Sequence, residues 1–174
     1  RATSRLFAGG LAASGELSAG VLFVGINPVQ DAKVLDLHKA MAKGEWLDDT
    51  DPMGVIVGGG LARTLALEIG DEVLMLSQAA DGSTANDLFK VRGVLMSIAA
   101  GMDRSGILMT ENTFRELMVF PDGAHKIFVR RPMDVQLGNA GKEVRSILGI
   151  PEPTAQAAGE VVEPPPEGTI IAMT

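Results

Sequence analysis

The chain has no cysteine, which excludes disulfides, thiolate metal sites and a cysteine nucleophile. It has no tyrosine, one tryptophan (Trp46) and six phenylalanines. Aromatic residues are only 4% of the total, so any core is aliphatic and a stacking platform for bases or sugars is excluded. Histidine occurs twice, as His38 and His125. With no G-x-S-x-G elbow beside them, a nucleophile–base pair has nothing to form from. No apolar run approaches the ~20 residues of a membrane-spanning helix, and no signal-peptide pattern is present. Basic residues number 15 against 22 acidic ones, a net charge of −7. That balance argues against a phosphate backbone, so no nucleic-acid partner is expected.

Apolar side chains are plentiful instead: 46% of 174 residues, enough for one domain or two small lobes. Arg1 enters a strand pattern almost at once, and Thr174 directly follows Ile170-Ile171-Ala172-Met173. Both ends read as those of a soluble segment excised from a longer protein, with membrane segments outside it.

Residues 5–13 and 20–26 are apolar runs separated by the turn-rich Ser14-Gly15-Glu16-Leu17-Ser18, which predicts a hairpin. Asn27-Pro28 predicts a helix start with Val34, Leu37, His38 and Met41 on one face and Gly44 as its end. Residues 72–78 and 87–98 read as long antiparallel strands about the turn Asp81-Gly82-Ser83. Residues 101–106 read as a break, 107–109 as a short strand, and Thr110 as the cap of a helix that turns Phe114, Leu117 and Met118 inward. A strand over 125–130, a last helix opened by Pro132, a proline-rich linker over 151–168 and a closing strand over 168–173 complete the reading. Hairpins mixed with three or four helices define an α+β fold rather than an alternating parallel sheet.

Motifs with possible chemistry are few. Asp48, Asp49 and Asp51 lack EF-hand spacing and read as a solvated acidic loop. Gly58-Gly59-Gly60 precedes a helix, but no Lys-Ser/Thr follows and Arg63 leaves G-x-G-x-x-G incomplete. Tight strand-to-helix packing is therefore expected there, not a phosphate cradle. Trp46 reads as a packing residue at a junction, and Arg130-Arg131 as a solvated strand end. No catalytic, cofactor or metal residue is expected, so the chain is read as not an enzyme.

The most informative stretch is residues 54–76. It reads as a short β-branched strand, a glycine hinge, a two-turn helix through Leu61 and Leu65, the corner Gly70-Asp71 and a second strand. Before it stand Gly25-Ile26-Asn27-Pro28 and Gly44-Glu45-Trp46-Leu47; after it come Val91-Arg92-Gly93-Val94 and Ile107-Leu108-Met109 with its helix. In this order the segments resemble the extracytoplasmic domains of FtsX-like, MacB-type ABC-transporter permeases. The resemblance covers nearly the whole chain, although the triple proline Pro164-Pro165-Pro166 is foreign to the pattern.

The resemblance implies a two-lobed MacB-like periplasmic core domain. A βαβ-rich lobe would come from residues 1–46 and 107–174, with a mostly β lobe, 47–106, inserted. Gly44, Trp46, Gly70, Asp71 and Gly106 become structural or hinge residues, with the lobe crossings near Trp46 and Gly106. Function would be non-catalytic coupling of cytoplasmic ATP hydrolysis to export, lipoprotein release or envelope signalling. ATP would bind a separate subunit, with a permease partner in the membrane and a periplasmic adaptor or lipoprotein as a further partner. The location would be the periplasmic face of the bacterial inner membrane. Other readings are a free-standing periplasmic binding or adaptor protein and an acidic-site hydrolase.

Overall fold

A computed structural model describes residues 1–96, 100–130, 141–142, 145–146 and 171–173. The N-terminal hairpin is longer than its apolar runs suggest: β1 (Ala2–Ser14) pairs antiparallel with β2 (Leu17–Ile26) from Arg5–Ile26 to Ser14–Leu17. Gly15, at φ +57°, makes the tight turn between them. Next come α1 (Pro28–Val34), a 3-10 turn (Leu37–Ala40) and β3 (Met41–Gly44). β4 (Gly54–Gly58), α2 (Gly59–Thr64), β5 (Glu72–Gln78) and β6 (Thr84–Leu95) form the middle. α3 (Ala100–Ser105), β7 (Gly106–Thr110), α4 (Glu111–Leu117), β8 (Lys126–Val129) and β9 (Ile171–Met173) follow.

Six strands close on themselves. β1 pairs β2, β2 pairs β7, β7 pairs β4, β4 pairs β6, β6 pairs β5, and β5 returns to β1. The β2–β7 and β4–β6 contacts are parallel and the rest antiparallel. Strand alternation then sorts side chains to two sides. Leu6, Phe23, Val55, Val57, Met75, Phe89 and Ile107 share one buried cluster inside the circuit, joined by Leu61 and Leu65 of α2 and Phe114 of α4. Each buried phenylalanine contributes roughly 2–3 kcal/mol. Val24, Ile26, Ile56 and Leu108 point outward into a second cluster covered by Leu37, Ala40, Met41 and Trp46.

The α+β reading and the order of elements hold. The helix expected from Pro28 to Gly44 does not. It stops at Val34, Asp36 takes a left-handed conformation (φ +55°), and the chain re-enters the sheet as β3. Asp36 is held there by Arg130 at 2.7 Å and Lys39 at 3.0 Å. Gly44 consequently ends a strand and not a helix, with φ +81° and its backbone opposite Gly93.

α3 (Ala100–Ser105) covers all of residues 101–106, the expected break, except Gly106. Its face packs directly on the glycines that open α2, so a tertiary contact overrides the low propensity of Gly101. The strand expected over 87–98 starts and ends three residues earlier, at Thr84–Leu95. Of the expected last helix, residues 141–142 and 145–146 are described and helical; the rest of it and the proline-rich linker lie outside the described residues.

The expected lobe boundaries fall within the hydrogen-bonded circuit. β5 of the 47–106 segment pairs β1 from Gly10–Ser77 to Ala13–Leu74, and β4 pairs β7 at Ile56 and Val57. Rotation of one segment against the other has to bend or break these pairs.

Candidate functional site

α2 begins where the sequence places three consecutive glycines. A Cβ on Gly58 would meet the backbone oxygens of Met102 and Asp103, and one on Gly60 would lie 2.8 Å from the Asp103 carboxylate. Glycine is required here because two helices approach at backbone distance. The packing is tight, but its partner is the helix α3 and not, as expected, a strand against α2. The Gly60 N–H donates to Asp103 Oδ1 at 3.0 Å. The chain's own carboxylate thus takes a place where an anion would sit at a helix N-terminus. Arg63 approaches the same carboxylate at 3.8 Å from an exposed position, a contact of small energetic weight.

Beside this contact opens a cleft of about 830 Å³ between α2, β3 and the end of β6. Lys43, Arg63, Glu68 and Asp103 supply its charges, and Ala62, Ile69 and Met96 its apolar wall. A shallower cleft of about 330 Å³ lies near Met53, Asp87, Thr113 and Glu116. In it the Thr113 hydroxyl already donates to the Pro52 carbonyl at 2.8 Å. Among the described residues, no group of three or more His, Asp or Glu side chains is placed to hold a metal ion.

The acidic loop is used internally. Asp51 pairs with Arg92 at 2.5 Å, and Asp48 accepts the Thr50 N–H at 2.9 Å in an Asx turn. The two histidines are packing residues. His38 meets Trp46 edge-on at 6.3 Å between ring centres. His125 stacks on Phe120 at 5.1 Å and accepts the Phe7 N–H through Nδ1.

The five residues singled out from sequence fall in four places. Trp46 closes the outer cluster, its indole N–H donating to the Pro28 carbonyl at 3.3 Å. Gly44 faces Gly93 across β3 and β6. Gly70 has φ +95° and donates its N–H to Val91 O at 2.8 Å. It does not terminate α2, which ends at Thr64 with Ala66 in the left-handed position. Asp71 closes the same corner by accepting the Glu68 N–H at 2.8 Å. Gly106 opens β7, buried against Met102, where a Cβ would clash.

Three polar relationships escaped the sequence reading. Arg5 pairs with Asp31 in the interior, Asp103 caps α2, and Arg130 clamps Asp36 and the Lys33 carbonyl. Arg130 is therefore a solvated strand end that is also engaged in an ion pair. Arg130 also draws the Asp36 carboxyl below its ordinary pKa, with Lys39 as the second cause. Only Arg5 had a visible signal: a charge inside an otherwise apolar strand needs a buried partner.

No protein-family model matches the chain, and no curated protein matches it. Solved structures do. The extracellular domain of the noncanonic ABC-type transporter YknZ from Gram-positive bacteria aligns over 100% of this chain and 81% of its own, with TM-score 0.65 and 16% identity. The periplasmic region of MacB from Actinobacillus actinomycetemcomitans aligns over 99% of this chain and 70% of its own, with TM-score 0.60 and 16% identity. The chain has the fold of these extracytoplasmic transporter domains, as its sequence pattern implied. Among the described residues, no helix is long and apolar enough to cross a membrane.

Proposed function

We propose that the chain is the extracytoplasmic domain of an ABC-type transporter permease, on the periplasmic face of the inner membrane. It acts without catalysis of its own, passing motion from ATP hydrolysis on a separate cytoplasmic subunit to a periplasmic cargo or partner. One observation supports this most: two extracytoplasmic transporter domains share the fold over essentially the entire chain. The internal use of Asp51, Asp103 and both histidines favours a mechanical over a catalytic role.

Motion between residues 47–106 and the rest would pass through Gly44–Trp46 and Ser105–Gly106. The shared strand pairs make that motion a bending of one body, not a free hinge.

The test is the intact gene product. Apolar segments of ~20 residues on both sides of this domain, and co-purification with an ATP-binding subunit, are the expected result. An intact protein without such segments would overturn the reading in favour of a free-standing binding or adaptor protein. Calcium, zinc and ATP at millimolar levels are expected to leave the melting temperature unchanged. A shift of several degrees would signal a native-state ligand site.

A further inference from the structure

β6 has strand neighbours on both sides only in its second half. Residues Thr84–Lys90 pair with β5, and β4 lies along the other side from Lys90 onward. Alternation decides which backbone groups face that other side. Lys90 donates its N–H to the Met53 carbonyl there, whereas Val91 accepts from Gly70 and donates to Asp71 on the β5 side. The N–H and C=O groups of Thr84, Asn86 and Leu88 therefore point the same way as those of Lys90. Among the described residues no strand lies beside them. β4 would fill this lane if it began earlier, but the chain enters it through the turn from Asp51 to Gly54. The Leu88 N–H is answered locally, by the Asp87 carboxylate at 2.8 Å.

The open lane runs beside a groove. The cleft of about 330 Å³ lies between this edge and α4, with Ala85, Phe89, Leu117 and Val119 as its apolar wall. Asp87 and Glu116 put two carboxylates in it, and among the described residues no lysine or arginine lines it. Lys90 stands opposite Glu72, with its side chain on the other face of β6 from Asp87 and Phe89. Arg115 is spent on Glu111 and on the carbonyls of Phe120 and Gly123. A strand added in the lane would meet the three free residues and take water from both carboxylates. Removing a carboxylate from water without a cation is costly. The edge therefore favours a strand that brings a positive charge to that position and rejects one that does not.

We propose that Thr84–Phe89 receives an extended segment of a partner protein as an added strand. The segment carries a lysine or arginine facing Asp87 and Glu116, with β-branched apolar side chains two residues to either side. A second copy of the chain fits poorly, because pairing β6 with β6 brings two sets of these carboxylates together without a cation. The proposal gives the partner of the transporter reading a chemistry, and rests on that reading only for where the partner resides.

The test uses the 174-residue chain and a labelled peptide, acetyl-Thr-Val-Thr-Lys-Thr-Val-Thr-amide, followed by fluorescence anisotropy. When extended, its valines and lysine share one face. This peptide is expected to bind. Two further peptides carry N-methyl groups on alternate residues, one on each alternate set. One should lose affinity about tenfold or more and the other keep it, because only every second N–H meets the edge. Exchanging the lysine with the next threonine preserves charge but turns it to the other face. That exchange, and Glu116→Gln in the protein, should each weaken binding about two- to fivefold. Asn86→Pro removes an N–H that points away from β5 and is tolerated on an edge; it should weaken binding about tenfold or more. Melting curves check the fold, and Thr84→Pro replaces Asn86→Pro if that variant does not fold.

No binding at about 1 mM peptide, equal losses from the two methylated sets, or unchanged affinity in the proline variant would overturn the proposal. So would equal binding of the peptide with its lysine exchanged. A dimer in sedimentation that the proline variant abolishes would make a second copy the occupant and overturn it too. Because the measurement uses the isolated chain, it can fail while the intact protein still proves to be a transporter, and the reverse.

Discussion

Arg5 on β1 and Asp31 on α1 form an ion pair with side chains only 6% and 0% exposed. The pair fastens the first helix to the longest strand. Arg5 also lies over the Phe128 ring of β8, 5.7 Å from its centroid, so one guanidinium touches three elements. A buried pair of this kind is costly to break and cheap to replace. Arg5→Ala or Asp31→Ala alone should destabilise the fold by about 3–5 kcal/mol, because the survivor is a buried unpaired charge. The double replacement Arg5→Met with Asp31→Leu should recover most of that loss. Urea denaturation of the three variants checks the cycle; equal losses in single and double variants would show that packing, not charge, is what the site needs.

The contact between α2 and α3 makes a second forecast. Asp103→Ala removes the acceptor of the Gly60 N–H and should cost about 1 kcal/mol, as loss of a cap does. Asp103→Asn keeps an oxygen and should cost less. Gly58→Val drives a side chain into the α3 backbone and should cost clearly more than Asp103→Ala. Thermal melting ranks the three.

Two helices end in the same way, with a left-handed residue that is not glycine. Ala66 has φ +50° and Val119 has φ +48°. In each case the next residue's N–H closes the turn, Leu67 to Ala62 O at 2.8 Å and Phe120 to Arg115 O at 3.0 Å. A β-branched residue is strained in this conformation by roughly 1–2 kcal/mol. Val119→Gly should therefore stabilise, with a melting temperature about 2–4 °C higher. Val119 is also exposed, so little packing is lost.

Gly70 gives the opposite sign. Its φ of +95° leaves open space around a would-be Cβ, so strain alone opposes a side chain there. Gly70→Val should destabilise by about 1–3 kcal/mol. A variant melting like the parent would mean the corner relaxes into another turn.

Asp36 supplies the pH dependence. Its folded pKa is lowered, first by the Arg130 hydrogen bond and then by Lys39. Its contribution is therefore present above the unfolded carboxylate pKa near ~3.9 and disappears as pH falls through the lower folded value. Asp36→Asn should reduce the loss of stability between about pH 5 and 2, by a small amount because the group is solvent-exposed. Acid titrations followed by circular dichroism compare the two proteins.

What the sequence showed, it showed through periodicity and punctuation. The β-branched run Val55-Ile56-Val57 between glycines located β4, apolar runs located β5 and β7, and Thr110 and Asn27 announced their helices through side chains that do cap them. What stayed hidden depends on contacts distant in sequence. The truncation of α1 rests on Asp36 meeting Arg130, 94 residues away. α3 exists because Asp103 reaches Gly60, 43 residues away. The closed circuit needs β5 to return to β1, which no local pattern encodes.

The length of β1 also sets a timetable. Its N-terminal residues pair with Lys126–Val129 and its C-terminal residues with β2 and β5. During synthesis the β1–β2 hairpin can form early, yet Ala2–Ser4 stay unpaired and Arg5 half-paired until residue 129 has been made. At ribosomal speeds of ~5–20 residues per second the wait is on the order of ten seconds. The parallel β2–β7 contact adds a second late, non-local closure of the kind that folds slowly. For that interval the nascent chain exposes an unmatched strand edge, the surface on which a holding chaperone would act.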